Sequence, residues 1–332
     1  MVTKEGAGGG VLSNVAPVLS GFSARMPVVK DDMIGYLFLF VSIFSMGLMG
    51  VVSKFSEMKK CSPMATSSML FLWAAILIFL RLLLMEGKLP GVPGFVLAVA
   101  LPFGVIAGIA FVAFLFAIEY GQVATSWLVV SLSPIVPAIA SVLIYRESLQ
   151  KQKVFSLLVI GVSLILLYLD KKVGETSPAH SETMTQRREQ TSKWLRQMVI
   201  VFLCAAMGAF GLKILEEAGL SGQYRDQYLF YWYLGGFLVA AAILVGKRVR
   251  IHMTEFVIGF FLGLSSLLGN FFLSLALARQ VPGYIAFPVV GIGSTIVVLA
   301  AGIFFFRERL TRYGYAGVGF GIVALLLLGL ST

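Results

Sequence analysis

Charge is scarce in this sequence. Only 13% of its 332 residues are Asp, Glu, Lys or Arg, about half the share that covers a water-exposed surface. That deficit excludes an ordinary soluble globular domain. Histidine and cysteine are rarer still, with two of each. His180 and His252 fall in separate connecting segments, while Cys61 and Cys204 have neither metal-ligand nor disulfide-framework spacing. No Ser-His-Asp arrangement and no His/Cys cluster can be assembled from these residues, so the expectation is a non-enzyme without cofactor or metal.

Apolar residues take the place of the missing charge. They make up 58% of the chain and come in blocks long enough to cross the roughly 30 Å hydrocarbon core as helices. The blocks are continuous instead of alternating at period two, which argues for helices over a barrel. Ten spans are expected, at about 33–53, 64–85, 94–118, 123–145, 154–169, 197–215, 227–246, 254–278, 283–306 and 313–330. The net charge of +10 comes from Lys and Arg scattered through the connections, where they anchor helix ends at the interface. No single basic face forms, so no nucleic-acid partner is expected.

Two stretches stand outside the spans. Residues 1–32, with their Gly, Ser and Pro, read as a mostly disordered tail. A signal peptide is the competing reading, but Asn14, Pro17 and Gly21 interrupt its apolar core and few basic residues precede it. Residues 170–196 hold Lys171, Lys172, Glu175, Pro178, Arg187, Arg188 and Glu189 at mid-chain and read as a polar linker between two halves.

The halves match. Met46-Gly47-Leu48-Met49-Gly50 of the first span recurs as Met207-Gly208-Ala209-Phe210-Gly211 of the sixth. Arg146-Glu147-Ser148-Leu149 after the fourth recurs as Arg307-Glu308-Arg309-Leu310 after the ninth, in the same 161-residue register. Leu70-Phe71-Leu72-Trp73 answers Leu229-Phe230-Tyr231-Trp232 at a register of 159. The expected domains are therefore units 33–169 and 197–330. A unit with an odd number of spans must enter the membrane from the other side in its second copy. The fold class expected is all-α integral membrane, ten transmembrane helices as two inverted five-helix repeats, an architecture typical of transporters.

The stretch 117–162 carries Ala117-Ile118-Glu119-Tyr120, Ser131-Leu132-Ser133-Pro134, Arg146-Glu147-Ser148-Leu149 and Gly161-Val162. With these it resembles the repeat of EamA-type members of the drug/metabolite transporter superfamily. Glu308-Arg309-Leu310, Gly317 and Gly321 fit the same closing pattern in the second half. Thr295 stands where the first half has Pro134, and Trp73 and Trp232 stand where many members carry an arginine. The resemblance implies a central cavity shared by both halves, both termini in the cytosol of a cell membrane, and export as the commoner direction. Lys and Arg counts in the connections lean the other way on orientation.

Candidate cavity residues follow from polarity within the spans, where an unpaired hydroxyl or amide is costly. They are Ser131, Ser133, Asn270, Ser274, Ser294 and Thr295, together with Glu119, Tyr120 and Lys213 close to span ends. Each serine or threonine either faces a cavity or bonds back to its own helix. Glu119 and Lys213 either face a hydrated cavity or snorkel to the interface. Trp73, Trp127 and Trp232 either line the cavity or form part of an interfacial belt. Pro134, Pro137 and Pro288 remove helix donors and can kink their spans. Arg146, Glu147, Arg307 and Glu308 either latch loops in one transport state or cap helix ends.

The function expected is a secondary transporter of a small organic metabolite, amino-acid-like or another neutral or zwitterionic amphiphile, working by alternating access. A lipid-linked substrate flippase and a non-transporting scaffold are the alternatives. Expected partners are a small-molecule substrate and membrane lipid, with protons as an optional coupling ion and a monomer or homodimer as the assembly.

Overall fold

The computed structural model describes residues 29–86, 91–120, 126, 127, 129, 130, 133, 151–174, 184–306 and 311–329. Every regular element among them is a helix: α1 Val29–Met58, α2 Pro63–Glu86, α3 Gly94–Tyr120, α4 Lys151–Gly174, α5 Met184–Glu217, α6 Ser221–Gly246, α7 Met253–Ala278, α8 Gly283–Phe304 and α9 Arg312–Gly329. Seven of these, α1 to α3 and α5 to α8, are long and apolar enough to cross a membrane. Most of the fourth expected span, 123–145, lies outside the described residues, as do 1–28 of the expected tail.

Three boundaries next to the two polar stretches differ from expectation. α1 begins at Val29, so the helix takes in the last residues of the expected tail. α4 runs on to Gly174 and α5 starts at Met184, so helix extends from both ends into the segment 170–196. Polar side chains do not oppose helix there, since Gln, Arg and Glu are good helix formers.

The bundle is apolar outside and carries polar groups inside. On α1, Leu37, Phe40, Phe44 and Leu48 form an exposed stripe at helical spacing, while Ser42, Ser45, Ser53 and Ser56 are buried. A protein surface in water would show the reverse. The buried hydroxyls tie helices together or bond back to their own helix: Ser42 Oγ donates to the Gly269 carbonyl at 2.8 Å, Ser163 Oγ to Gly317 at 2.7 Å, and Ser53 Oγ to Met49 at 2.9 Å.

Packing between helices follows a reciprocal scheme. α3 lies against α5 and α6, and α7 lies against α1 and α2; α2 packs on α6, α4 on α9, and α8 on α1. Glycines make two of these crossings close. A Cβ on Gly104 of α3 would run into the Trp232 carbonyl of α6, and one on Gly263 of α7 would meet the Leu70 carbonyl of α2 at 2.6 Å and the Trp73 Cβ at 3.1 Å. Gly104 and Gly263 stand 159 residues apart, as do Trp73 and Trp232. Each glycine thus contacts the segment that carries the other half's tryptophan.

Candidate functional site

A cavity of about 190 Å³ opens at the centre of the bundle. Its wall is drawn from seven helices: Met46 and Met49 of α1, Phe71 of α2, Phe111 and Phe114 of α3, Gly208 of α5, Trp232 of α6, Ser266 and Asn270 of α7, and Phe287 and Ser294 of α8, with Trp127 and Ser133 beside them. Most of the wall is aromatic and aliphatic. No ionisable side chain lines it among the described residues.

Asn270 is the most polar group of the wall, and its amide is fixed by its neighbours. Nδ2 donates to the Tyr233 hydroxyl and to the Ser266 carbonyl, both at 3.1 Å, and the Tyr233 hydroxyl lies 3.1 Å from Ser266 Oγ. Because a backbone carbonyl can only accept, Nδ2 must face it, which leaves Oδ1 as the group presented elsewhere. Tyr233 is fully buried, so this relay stiffens the α6–α7 contact directly behind the cavity.

Two indoles also line the wall. The Nε1–H groups of Trp127 and Trp232 are buried and have no hydrogen-bond partner among the described residues. Trp127 is set edge-on to Phe114 at 5.6 Å, and Trp232 edge-on to Tyr233 at 4.9 Å. Ser133 and Ser294 also line the wall, but their hydroxyls donate to Val130 at 2.7 Å and Gly291 at 3.0 Å. Both therefore offer a lone pair to the cavity and no proton.

Of the residues proposed from the sequence, Trp127, Ser133, Trp232, Asn270 and Ser294 share this one wall. Others are elsewhere. Thr295 is buried and bonds back to Gly291 at 2.9 Å, and Ser274 is buried off the wall. Lys213 is buried near the end of α5 and held by Glu216 at 2.8 Å and Glu217 at 2.7 Å, which answers the cost of burying its charge. Pro288 sits within α8 next to the wall residue Phe287. Ser131, Pro134, Pro137, Arg146, Glu147, Arg307 and Glu308, and the side chains of Glu119 and Tyr120, lie outside the described residues.

Trp73 has a different role from its counterpart Trp232. Its indole donates to the Phe256 carbonyl at 3.2 Å and stacks edge-on against Phe256 and Phe260, off the cavity wall. Trp73→Phe is expected to cost about 1 kcal/mol of stability, the worth of one hydrogen bond, with transport unchanged. A thermal-unfolding series beside a transport assay checks it.

Residues 33–169 match the EamA-like transporter family. This stretch is similar to an EamA-type transporter unit. Its match ends near the close of α4, while a solved chain described only as a crystal structure of a protein aligns with 91% of this chain and 96% of its own length, at a TM-score of 0.64 and 13% identity. At that identity the likeness speaks for the fold alone. No curated protein matches the chain significantly. The seven apolar helices, together with the similarity of residues 33–169 to a transporter family, make the protein a multi-pass integral membrane protein.

The sequence did not point to Tyr233 and Ser266, which set the Asn270 amide, nor to Phe71, Phe111, Phe114 and Phe287, which supply most of the apolar wall. A signal for the first pair was present. Ser266 stands four residues before Asn270, one helical turn away on the same face, and Tyr233 directly follows Trp232.

Proposed function

We propose that the protein is a secondary transporter that carries a small organic solute across the membrane by alternating access, with two inverted five-helix units rocking around the central cavity. The observation that carries this reading is the cavity itself, whose wall takes residues both from α1, α2 and α3 and from α5, α6, α7 and α8. The reciprocal packing of α3 on α5 and α6 and of α7 on α1 and α2 supports the paired units. So does the exchange of Gly104 and Gly263 at the two crossings. Packed interfaces related in this way can adopt two arrangements of similar energy.

One ionic clasp supports a gate. Arg81 Nε donates to Asp226 Oδ2 at 2.8 Å, joining α2 to α6, and the guanidinium groups of Arg81 and Arg225 lie 4.9 and 5.4 Å from the ring centre of Phe271 on α7. The matching positions in the other half, at registers of 159 to 161, are Ala240 to Ala242 for Arg81, Ala65 to Ser67 for Asp226 and Ala110 to Val112 for Phe271. The clasp therefore closes only the membrane side where α2 ends and α6 begins. Asp226→Asn is expected to cost no more than about 1 kcal/mol, since Arg81 is 43% exposed. The same change should raise exchange rates from that side by several-fold, as read by solute counterflow.

The described wall holds no carboxylate, which supports facilitated movement or exchange over proton coupling. Glu119→Gln is expected to leave the pH dependence of transport unaltered; its loss would make Glu119 a proton site. The reading as a whole is tested in proteoliposomes loaded with a mixed pool of small neutral metabolites. Saturable uptake of at least one component, abolished by Ala205→Phe in the cavity wall, is expected. Equal uptake by parent and variant would end the proposal.

A further inference from the structure

We infer that the end of the bundle built from the α1–α2 and α6–α7 turns faces the cytosol and docks there on the acidic phospholipid headgroups of the cytosolic leaflet. Both turns lie at one end. Ser62 of the first donates its backbone N–H to Glu255 Oε1 at the start of α7, at 3.3 Å, and residues of both turns line a single open cleft of about 630 Å³. α8 finishes at the same end, where the Phe306 ring lies 5.2 Å from that of Phe55 and 4.6 Å from Lys54 Nζ.

Cations that are scattered along the sequence gather at this end. Lys59 and Lys60 in one turn and Lys247, Arg248 and Arg250 in the other are all exposed, and none is paired with a carboxylate among the described residues. The acids beside them do little to offset this charge. Glu57 is exposed, while Glu255 is buried and its oxygens accept the backbone N–H groups of Ser62 at 3.3 Å and His252 at 3.0 Å. The opposite end is more nearly balanced. There Lys213 is held by Glu216 and Glu217, and Arg81 is paired with Asp226.

The unpaired cations stand at headgroup depth. Phe55, Met58, Met253, Phe304 and Phe305 are exposed around the same end, and such apolar side chains belong in the acyl region directly beneath the headgroups. Unpaired Lys and Arg above an apolar collar complement an acidic membrane surface, which is a property of the cytoplasmic leaflet. An excess of Lys and Arg in short connections also holds those connections on the cytosolic side during insertion. The start of α1 then lies on the outer side, the reverse of the orientation that the EamA resemblance implies. The Arg81–Asp226 clasp, at the far end of α2, closes the outer mouth.

Orientation is read with Ile251→Cys, a position 44% exposed in the α6–α7 turn, in a chain that also carries Cys61→Ser and Cys204→Ser. A membrane-impermeant maleimide is expected to label it in inside-out membrane vesicles and not in intact cells. Labelling in intact cells, or in neither preparation, overturns the inference. Docking is read by native mass spectrometry of the detergent-purified full-length protein given equal amounts of phosphatidylglycerol and phosphatidylcholine with matched acyl chains. Phosphatidylglycerol is expected to be retained at least about fivefold more often, the worth of one basic residue at an acidic surface. That preference should vanish when Lys59→Gln, Lys60→Gln and Arg250→Gln are combined, and persist in Arg279→Gln, an exposed position in the α7–α8 turn at the opposite end. Equal retention of the two lipids, a preference that survives the triple change, or one that falls as far in Arg279→Gln, overturns the inference.

Discussion

Gly104→Val and Gly263→Val are each expected to destabilise the protein by about 3 kcal/mol, the upper end of the overpacking range. At both crossings a new Cβ meets backbone, the Trp232 carbonyl in one case and the Leu70 carbonyl at 2.6 Å in the other. Backbone cannot rotate away as a side chain tip can, so the helices themselves must separate. Association of membrane helices depends on this close packing, because lipid supplies little hydrophobic drive between them. Gly161→Ala is the control: nothing lies within 4 Å of the added Cβ, and a change within about 0.5 kcal/mol is expected. Unfolding in graded denaturing detergent measures all three. Near-neutral behaviour of Gly104→Val and Gly263→Val would mean that α3 and α7 do not cross their partners as described.

Asn270→Ala is expected to separate function from stability. The variant loses the bonds from Nδ2 to Tyr233 and Ser266 but leaves Tyr233 and Ser266 paired at 3.1 Å. The stability cost is then about 1 kcal/mol. Transport should suffer far more, with affinity falling tenfold or further, because the Oδ1 acceptor goes and the Tyr233 ring behind Trp232 loses one of its two tethers. Asn270→Asp is the sharper version. It keeps the shape and puts a charge into a wall without a cation among its described residues, so uptake of a neutral solute is expected to fall at least as far. Unfolding midpoints and concentration-dependent uptake on the same preparations distinguish the two effects. A parallel loss of stability and transport would make Asn270 a packing residue.

The membrane class and the helices were legible in the sequence because both follow from local composition: long apolar runs can satisfy their backbone in lipid only as helices. The register between Met46-Gly47 and Met207-Gly208 was legible too. Its use in three dimensions was not. A Cβ on Gly47 would press against Val297 of α8 and one on Gly50 against Val298 and Trp127, whereas Gly208 and Gly211 lie against Ala107 and Phe103 of α3. Small residues show that something comes close but leave open what it is.

Trp73 and Trp232 make the same point at the site. They match in sequence, yet Phe256 and Phe260 of α7 hold the Trp73 ring and the Phe256 carbonyl takes its proton. The Trp232 indole instead lines the cavity, and its buried N–H has no partner among the described residues. Which outcome a tryptophan has depends on the neighbouring helix, and that information is spread over 180 residues of chain. Polar residues within spans were a useful but partial guide. Asn270 and Ser294 reached the cavity, whereas Thr295, one residue on and turned by about 100°, bonds to its own helix off the wall.

The central claim is that one cavity serves both sides of the membrane in turn. Ser294 lines it from α8, and Ser294→Cys places a thiol there once Cys61 and Cys204 are replaced; burial already pushes the Cys61 thiol up, which makes it a slow background reactant. In sealed proteoliposomes of known orientation, a membrane-impermeant maleimide is applied from outside or trapped inside. The account predicts that Ser294→Cys is modified from each side in separate experiments. Modification from one side only, or solely by a lipid-soluble maleimide, would contradict it.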